Sequence, residues 1–201
     1  MIVDTGMPGS GRKIIEYVLS LGSDPSEIDY ILLTHPDIDH SGSVAELKQE
    51  GAMNAKVAIH DVDAPRLAGE KKLKEVRGAA GVAVGLFSGL MHFRPVRPDV
   101  ILKEGMEIGG MAVIHTPGHT EGSVCFHDSA NRALFVGDAM MTSSDGGTKL
   151  PPKSMTVDMN RAKESVRRLL SLDFDLLLAG HGAPITKGGS KKVAELSSKE
   201  M

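Results

Sequence analysis

Residues 34–43 read THPDIDHSGS and set His35, Asp37, Asp39 and His40 within six positions. Imidazole nitrogens and carboxylate oxygens this close together make a donor set for zinc, iron or manganese, and added Asp oxygen favours the harder ions. Three later stretches share the form, an apolar run ending in a ligand-type residue beside glycine or proline. They are VIHTPGHTEGS with His119, LFVGD with Asp138, and LLLAGHG with His181. The seven candidates exceed the four ligands of a structural zinc site, so two metal ions sharing a bridging carboxylate is the economical arrangement.

Taken singly, each candidate has a structural reading. An isolated His35 or His181 is more often a satisfied histidine of the fold. Asp37 or Asp39 could N-cap a helix beginning near SVAEL, and Ser43 with Glu46 spells an S-x-x-E capping box. The four segments point to a metal site because they occur together, each after an apolar run.

A site of this form needs strands that deliver its residues to loops at their C-terminal ends. The sequence supplies them. MIV reads as a short strand turning at DTGMPGSG, and RKIIEYVLSLG as a helix with Ile14, Ile15, Val18 and Leu19 at helical spacing and a stop at Gly22. DYILLT is a continuous apolar strand, SVAELKQEG a helix closed by Gly51, AKVAIH a strand, and residues 61–76 a helix. DVILKEGMEIGGMAVIH has the pattern of a hairpin or meander turning at Glu104-Gly105 and Gly109-Gly110. GSVCFHDSANRALFVGD gives two more strands, and residues 139–157 a loop. DMNRAKESVRRLLSL is a helix, FDLLLAG a strand, and a charged helix closes the chain. The fold class is α/β (α+β), with strands outnumbering helices.

A chain of 201 residues, 41% apolar and 24% charged, is expected to form one domain over 1–201. With a net charge of −3 and no long Lys/Arg cluster, it lacks a nucleic-acid footprint. Cys125 is the single cysteine, so no internal disulfide is expected, and MIVDTG carries no signal-peptide features. Both suit the cytoplasm. The 16 uncharged residues GAAGVAVGLFSGLMHF contain four glycines and fall short of the roughly 20 apolar residues that span a bilayer. In a helix Gly81, Gly85 and Gly89 would line one face, which suits close approach of another helix within the chain or across a dimer, a lid or pocket wall over 78–93 with Leu86, Phe87, Leu90, Met91 and Phe93 as its apolar lining, or a plain surface helix. Cys125 in mid-strand reads as core, and His60, His92, His115 and His127 sit in no matching motif.

THPDIDH, TPGHTEGS, VGD and GHG resemble the successive signatures of the metallo-β-lactamase superfamily. The resemblance implies a four-layer αββα sandwich, two mixed sheets flanked by helices, with a dinuclear metal cleft. It implies His35, Asp37 and His119 at the first metal, Asp39, His40 and His181 at the second, Asp138 bridging, and Asp4 of VDTG supporting the ligands. Asp37 stands where the family usually has a second histidine, making this an HxDxDH variant. Two divalent ions are implied, zinc being commonest in the family and Asp37 favouring iron or manganese. Related proteins carry strands before VDTG, so either the chain starts upstream or a partner, such as a second copy in a homodimer, covers one sheet edge.

The implied activity is hydrolysis by a metal-bridged hydroxide, oriented by Asp39, of an ester, thioester, lactone or amide bond in a small molecule. The appended domains of glyoxalase II, RNA-processing and flavodiiron members have no room in this chain. A diiron redox enzyme resembling sulfur dioxygenases is the alternative, and a metal-binding module without turnover a third reading. Neither nucleic acid nor membrane is an expected partner.

Overall fold

A computed structural model describes residues 1–72 and 93–200. The chain divides into two compact units, Met1–Leu102 and Lys103–Met201.

The first unit contains β1 (Ile2–Val3), α1 (Gly11–Ser20), β2 (Tyr30–Leu32), α2 (Ile38–Ser41), α3 (Val44–Glu50), β3 (Lys56–His60), α4 (Ala64–Leu67) and β4 (Val100–Leu102). Its sheet has the order β1-β2-β3-β4, and every pair is parallel, with Ile2 opposite Ile31, Ile31 opposite Val57 and Ile59 opposite Ile101. Parallel neighbours need crossovers, and helices lie in the connections from β1 to β2 and β2 to β3. Ile31, Leu32 and Leu33 are all fully buried, as a strand covered on both faces requires. α1 turns Ile15 into the core, with Ile14 and Val18 packed partly against it, while Tyr17 and Leu19 stay exposed.

This sheet departs from the expected mixed pairing, because all its described strands run one way. β4 also corrects an expectation. Val100–Leu102 does not join the meander that follows it in sequence but pairs with β3. The helix expected over 61–76 is, among the described residues, the single turn Ala64–Leu67, entered through Pro65 and followed by Gly69. Residues 73–76 and most of the expected lid, 78–92 with His92, lie outside the described residues. Phe93 packs partly against the first unit's core.

The second unit contains β5 (Glu107–Ile108), β6 (Met111–His115), β7 (Val124–Asp128), β8 (Ala133–Gly137), β9 (Met141–Thr142), β10 (Thr148–Lys149), α5 (Met159–Arg168), β11 (Leu176–Ala179) and α6 (Gly189–Glu200). The sheet order is β11-β8-β7-β6-β5, antiparallel except for the parallel pair β11 and β8. The expected turn at Gly109-Gly110 joins β5 to β6, with Ile108 opposite Met111. The loop expected over 139–157 carries the small antiparallel pair β9 and β10. α5 starts where Asp158 accepts the backbone N–H groups of Asn160 and Arg161. Val166, Phe174, Leu177, Val193 and Leu196 close the core with Cys125, whose thiol burial pushes up to about 12. His115 and His127 sit on β6 and β7, and their rings contact the carbonyls of Glu121 and Asp173. Among the described residues no helix is long and apolar enough to cross a membrane.

Candidate metal centre

In the first unit, parallel pairing puts all four strand C-termini at one edge of the sheet, the edge where open α/β sheets hold ligands. β2 runs on through Leu33, whose N–H donates to Ala58 O at 2.9 Å, and delivers Thr34 and His35 into the loop. Asp37 occupies the N-cap position of α2, yet its side chain makes no capping bond. Its Oδ2 lies 3.6 Å from His35 Nε2, and Asp39 Oδ2 lies 4.0 Å from His40 Nε2. The imidazole rings of His35 and His40 have centroids 4.0 Å apart. His35 and His40 are buried, while Asp37 and Asp39 are partly open.

Asp4 ties this loop to the sheet. It follows β1 at φ 56°, a left-handed conformation that Asp tolerates better than most residues. Backbone bonds over-determine it: Asp4 N–H donates to Leu32 O at 2.9 Å and Thr5 N–H to His40 O at 2.6 Å. Asp4 Oδ1 accepts Thr34 N–H, and Oδ2 accepts the Thr34 hydroxyl, both at 2.8 Å. The same Oδ2 stands 2.8 Å from His40 Nδ1. Asp4 thus contacts both Thr34 and His40 through its carboxylate.

The Ser43 and Glu46 pair does not form the expected capping box. Ser43 is the N-cap residue of α3 but makes no side-chain cap bond. Its Oγ donates to Met7 O at 2.6 Å and accepts Ser10 N–H at 2.9 Å. Glu46 Oε2 accepts the N–H groups of Gly9 and Gly11 at 3.0 and 3.1 Å. Both side chains therefore hold the 4–11 loop and the start of α1 rather than the start of α3.

In the second unit, β6, β8 and β11 run in one direction, because β7 alternates between β6 and β8 and β11 is parallel to β8. Their C-termini share an edge, and His119, Asp138 and His181 follow them in turn. His119 sits in a loop closed by Thr116 N–H to Ser123 O and by Gly118 N–H to Thr120 O, both at 2.8 Å. Its own carbonyl accepts Val157 N–H at 3.2 Å. Gly118 is required here, since a Cβ would lie 2.3 Å from Ala162 N. His181 O accepts Thr142 N–H at 3.0 Å, and a Cβ on Gly182 would lie 1.9 Å from Thr142 O.

Asp138 Oδ2 is 3.4 Å from His119 Nε2 and 3.5 Å from His181 Nε2. These separations are at the long limit for a hydrogen bond. They match two ligands on one ion, because bonds of roughly 2.1 Å at a tetrahedral angle put neighbouring donors about 3.4 Å apart. One carboxylate oxygen stands at that separation from two imidazoles, as a bridge between two ions would. Buried imidazole with carboxylate is also the right chemistry for a divalent cation, so the residues present fit the metals that the resemblance implies.

The family model of the metallo-beta-lactamase superfamily matches residues 1–181. This chain belongs to the metallo-β-lactamase superfamily. Among relatives, hydroxyacylglutathione hydrolase GloC of Haemophilus influenzae is 27% identical over 195 residues, covering 95% of this chain and 84% of that protein. The human acyl-coenzyme A thioesterase MBLAC2 is 28% identical over 163 residues, 72% of this chain and 55% of that protein, so the chain spans about half its length. The crystal structure of TTHA1623 in a di-iron-bound form matches with a TM-score of 0.71 at 30% identity, covering 95% of this chain and 86% of that one. The chain has the metallo-β-lactamase fold, which binds divalent metals, and is a hydrolase of that superfamily.

Sequence reasoning missed Thr34. The only signal available was a hydroxyl residue wedged between the apolar strand and His35.

Proposed function

We propose that this protein is a metal-dependent hydrolase that cleaves a small thioester, with esters, lactones and amides as the wider class. The shared position of Asp138 Oδ2 relative to His119 and His181 is the observation that carries the reading. In it, His35, Asp37 and His119 hold one divalent ion, Asp39, His40 and His181 hold the other, and Asp138 bridges them. The thioester preference draws on the activities named for MBLAC2 and GloC. Iron or manganese is the favoured metal, because Asp37 brings a charged oxygen where imidazole is usual, and the di-iron form of TTHA1623 supports it.

Bound ions supply Lewis acidity and an acidified water. The chain's own residues do the remaining work. Asp39, on α2 and more exposed than Asp37, would accept a hydrogen bond from the attacking water and orient it toward the carbonyl carbon. His35, His40 and His119, all buried, keep their rings in one orientation so that little reorganisation accompanies the reaction. His181, whose side chain is 38% exposed, is open to solvent and would be the histidine that a substrate meets first. The buried Cys125 thiol takes no part as a nucleophile. The enzyme works in the cytoplasm on a soluble metabolite, without nucleic acid or membrane.

The test is a panel of acyl thioesters, esters, lactones and amides, offered to protein reconstituted with iron, manganese or zinc. Thiol release from thioesters that disappears in Asp138→Ala supports the reading. Oxygen uptake with a persulfide, and no hydrolysis across the panel, would replace it with diiron redox chemistry.

A further inference from the structure

The hydrogen bonds around Asp4 have a direction that can be worked out. A carboxylate offers only acceptors, while a threonine hydroxyl has one proton and two lone pairs. Thr34 Oγ1 lies 2.8 Å from Asp4 Oδ2 and 2.9 Å from His35 Nδ1. Its single proton goes to Asp4, because two oxygens without a proton between them would otherwise face each other at hydrogen-bond distance. Thr34 Oγ1 must then accept from His35, which puts the imidazole proton on Nδ1 and leaves the Nε2 lone pair as the donor. His40 Nδ1, 2.8 Å from Asp4 Oδ2, likewise carries its proton there and presents Nε2. Thr34, His35 and His40 are buried, and Asp4 is partly buried, with 16% of its side chain exposed.

We propose that Thr34 is a positioning residue that relays the Asp4 carboxylate to His35, so that one carboxylate sets the metal-binding nitrogen of both His35 and His40. This rests on the metal-centre reading above, in which the two histidines serve different ions. Asp4 acts on His40 directly and on His35 only through the Thr34 hydroxyl. The two metal positions are thereby coupled through a single side chain outside the ligand set, and removing the hydroxyl uncouples one of them. Partners that orient ligand imidazoles in this way change metal affinity by roughly 10–100-fold when lost.

The experiment compares wild type, Thr34→Val and Thr34→Ser, first without metal, by two-bond proton–nitrogen correlation of the imidazole rings at a mildly alkaline pH. Wild type and Thr34→Ser are expected to show His35 and His40 protonated on Nδ1. Thr34→Val should scramble or reverse the tautomer of His35 and leave His40 as it was. Chelator competition then measures the two metal equivalents. Thr34→Val should weaken one of them about 10–100-fold, and Thr34→Ser should restore it. A wild-type His35 protonated on Nε2 overturns the proposal even if Thr34→Val fails to fold. So does an unchanged His35 tautomer, or unchanged metal affinity, in folded Thr34→Val. If wild type binds no metal at all, the metal-centre reading fails, while the tautomer measurement still decides the role of Thr34.

Discussion

Gly118→Ala tests how tightly the fold of the second unit positions His119. An added Cβ would stand 2.3 Å from Ala162 N, 2.4 Å from its Cα and 2.6 Å from its Cβ. Ordinary contact between such atoms is near 3.5 Å, so about 1 Å of movement is needed. Neither side yields easily. Ala162 is on α5, which is N-capped by Asp158 and anchored in the core by Val166. The 116–123 loop is tied to the start of that helix by Asp158 N–H to Gly118 O at 2.9 Å and Val157 N–H to His119 O at 3.2 Å. Overpacking of this kind costs about 1–3 kcal/mol. The backbone adds a similar ~1–3 kcal/mol, because Gly118 lies at φ 144°. The expected loss is therefore about 2–6 kcal/mol, a large part of the roughly 5–15 kcal/mol that holds a domain together. Gly105→Ala is the control, since Gly105 is also left-handed, at φ 74°, but a Cβ there meets nothing within 4 Å. It should cost only about 1–2 kcal/mol. Urea melts of the metal-free variants give the stability difference, and chelator competition reports whether His119 has been displaced. A Gly118→Ala protein no less stable than Gly105→Ala, with wild-type metal affinity, would refute the close approach.

Asp138→Ala should lower the bound metal from about two ions per chain toward none by elemental analysis, since the lost oxygen serves both positions in the reading above; two ions retained would rule out the bridge. Asp37→His should move the preferred metal from iron or manganese toward zinc, measured as relative activity of separately reconstituted samples, and an unmoved preference would remove Asp37 from the ligand set. Cys125, with its thiol raised by burial from 9.0 to about 12, should resist alkylation in the folded protein and react on unfolding. The same shift has a sign: the thiol's contribution is fully present below pH 9 and is lost as pH rises toward 12, where the unfolded thiol is ionised and the folded one is not. Cys125→Ala should flatten that part of the alkaline stability profile in urea melts.

What the sequence made legible follows from the range of the interactions involved. His35, Asp37, Asp39 and His40 stand out as candidates because metal chemistry accepts few residue types, and a strand followed by a loop is a local pattern. β5 and β6 were readable through Gly109-Gly110 for the same reason. β4 was not. Val100–Leu102 looks like the first arm of the hairpin that follows, but its register with Ala58, Ile59 and His60 is set by a partner about 40 residues earlier. Ser43 and Glu46 misled in the same way. Their spacing satisfies a local rule, yet their oxygens serve Met7, Gly9, Ser10 and Gly11 across separations of 33–37 residues. Thr34 is the sharpest instance. Its neighbour His35 announces a ligand, but the hydroxyl becomes a relay only because Asp4, 30 residues away, arrives with its carboxylate at 2.8 Å. The choice of candidate ligands thus rests on residue types in order, whereas the orientation of an imidazole is set by long-range hydrogen bonds. A variant that keeps every ligand and alters only Asp4 or Thr34 would look intact in sequence and present the wrong nitrogen.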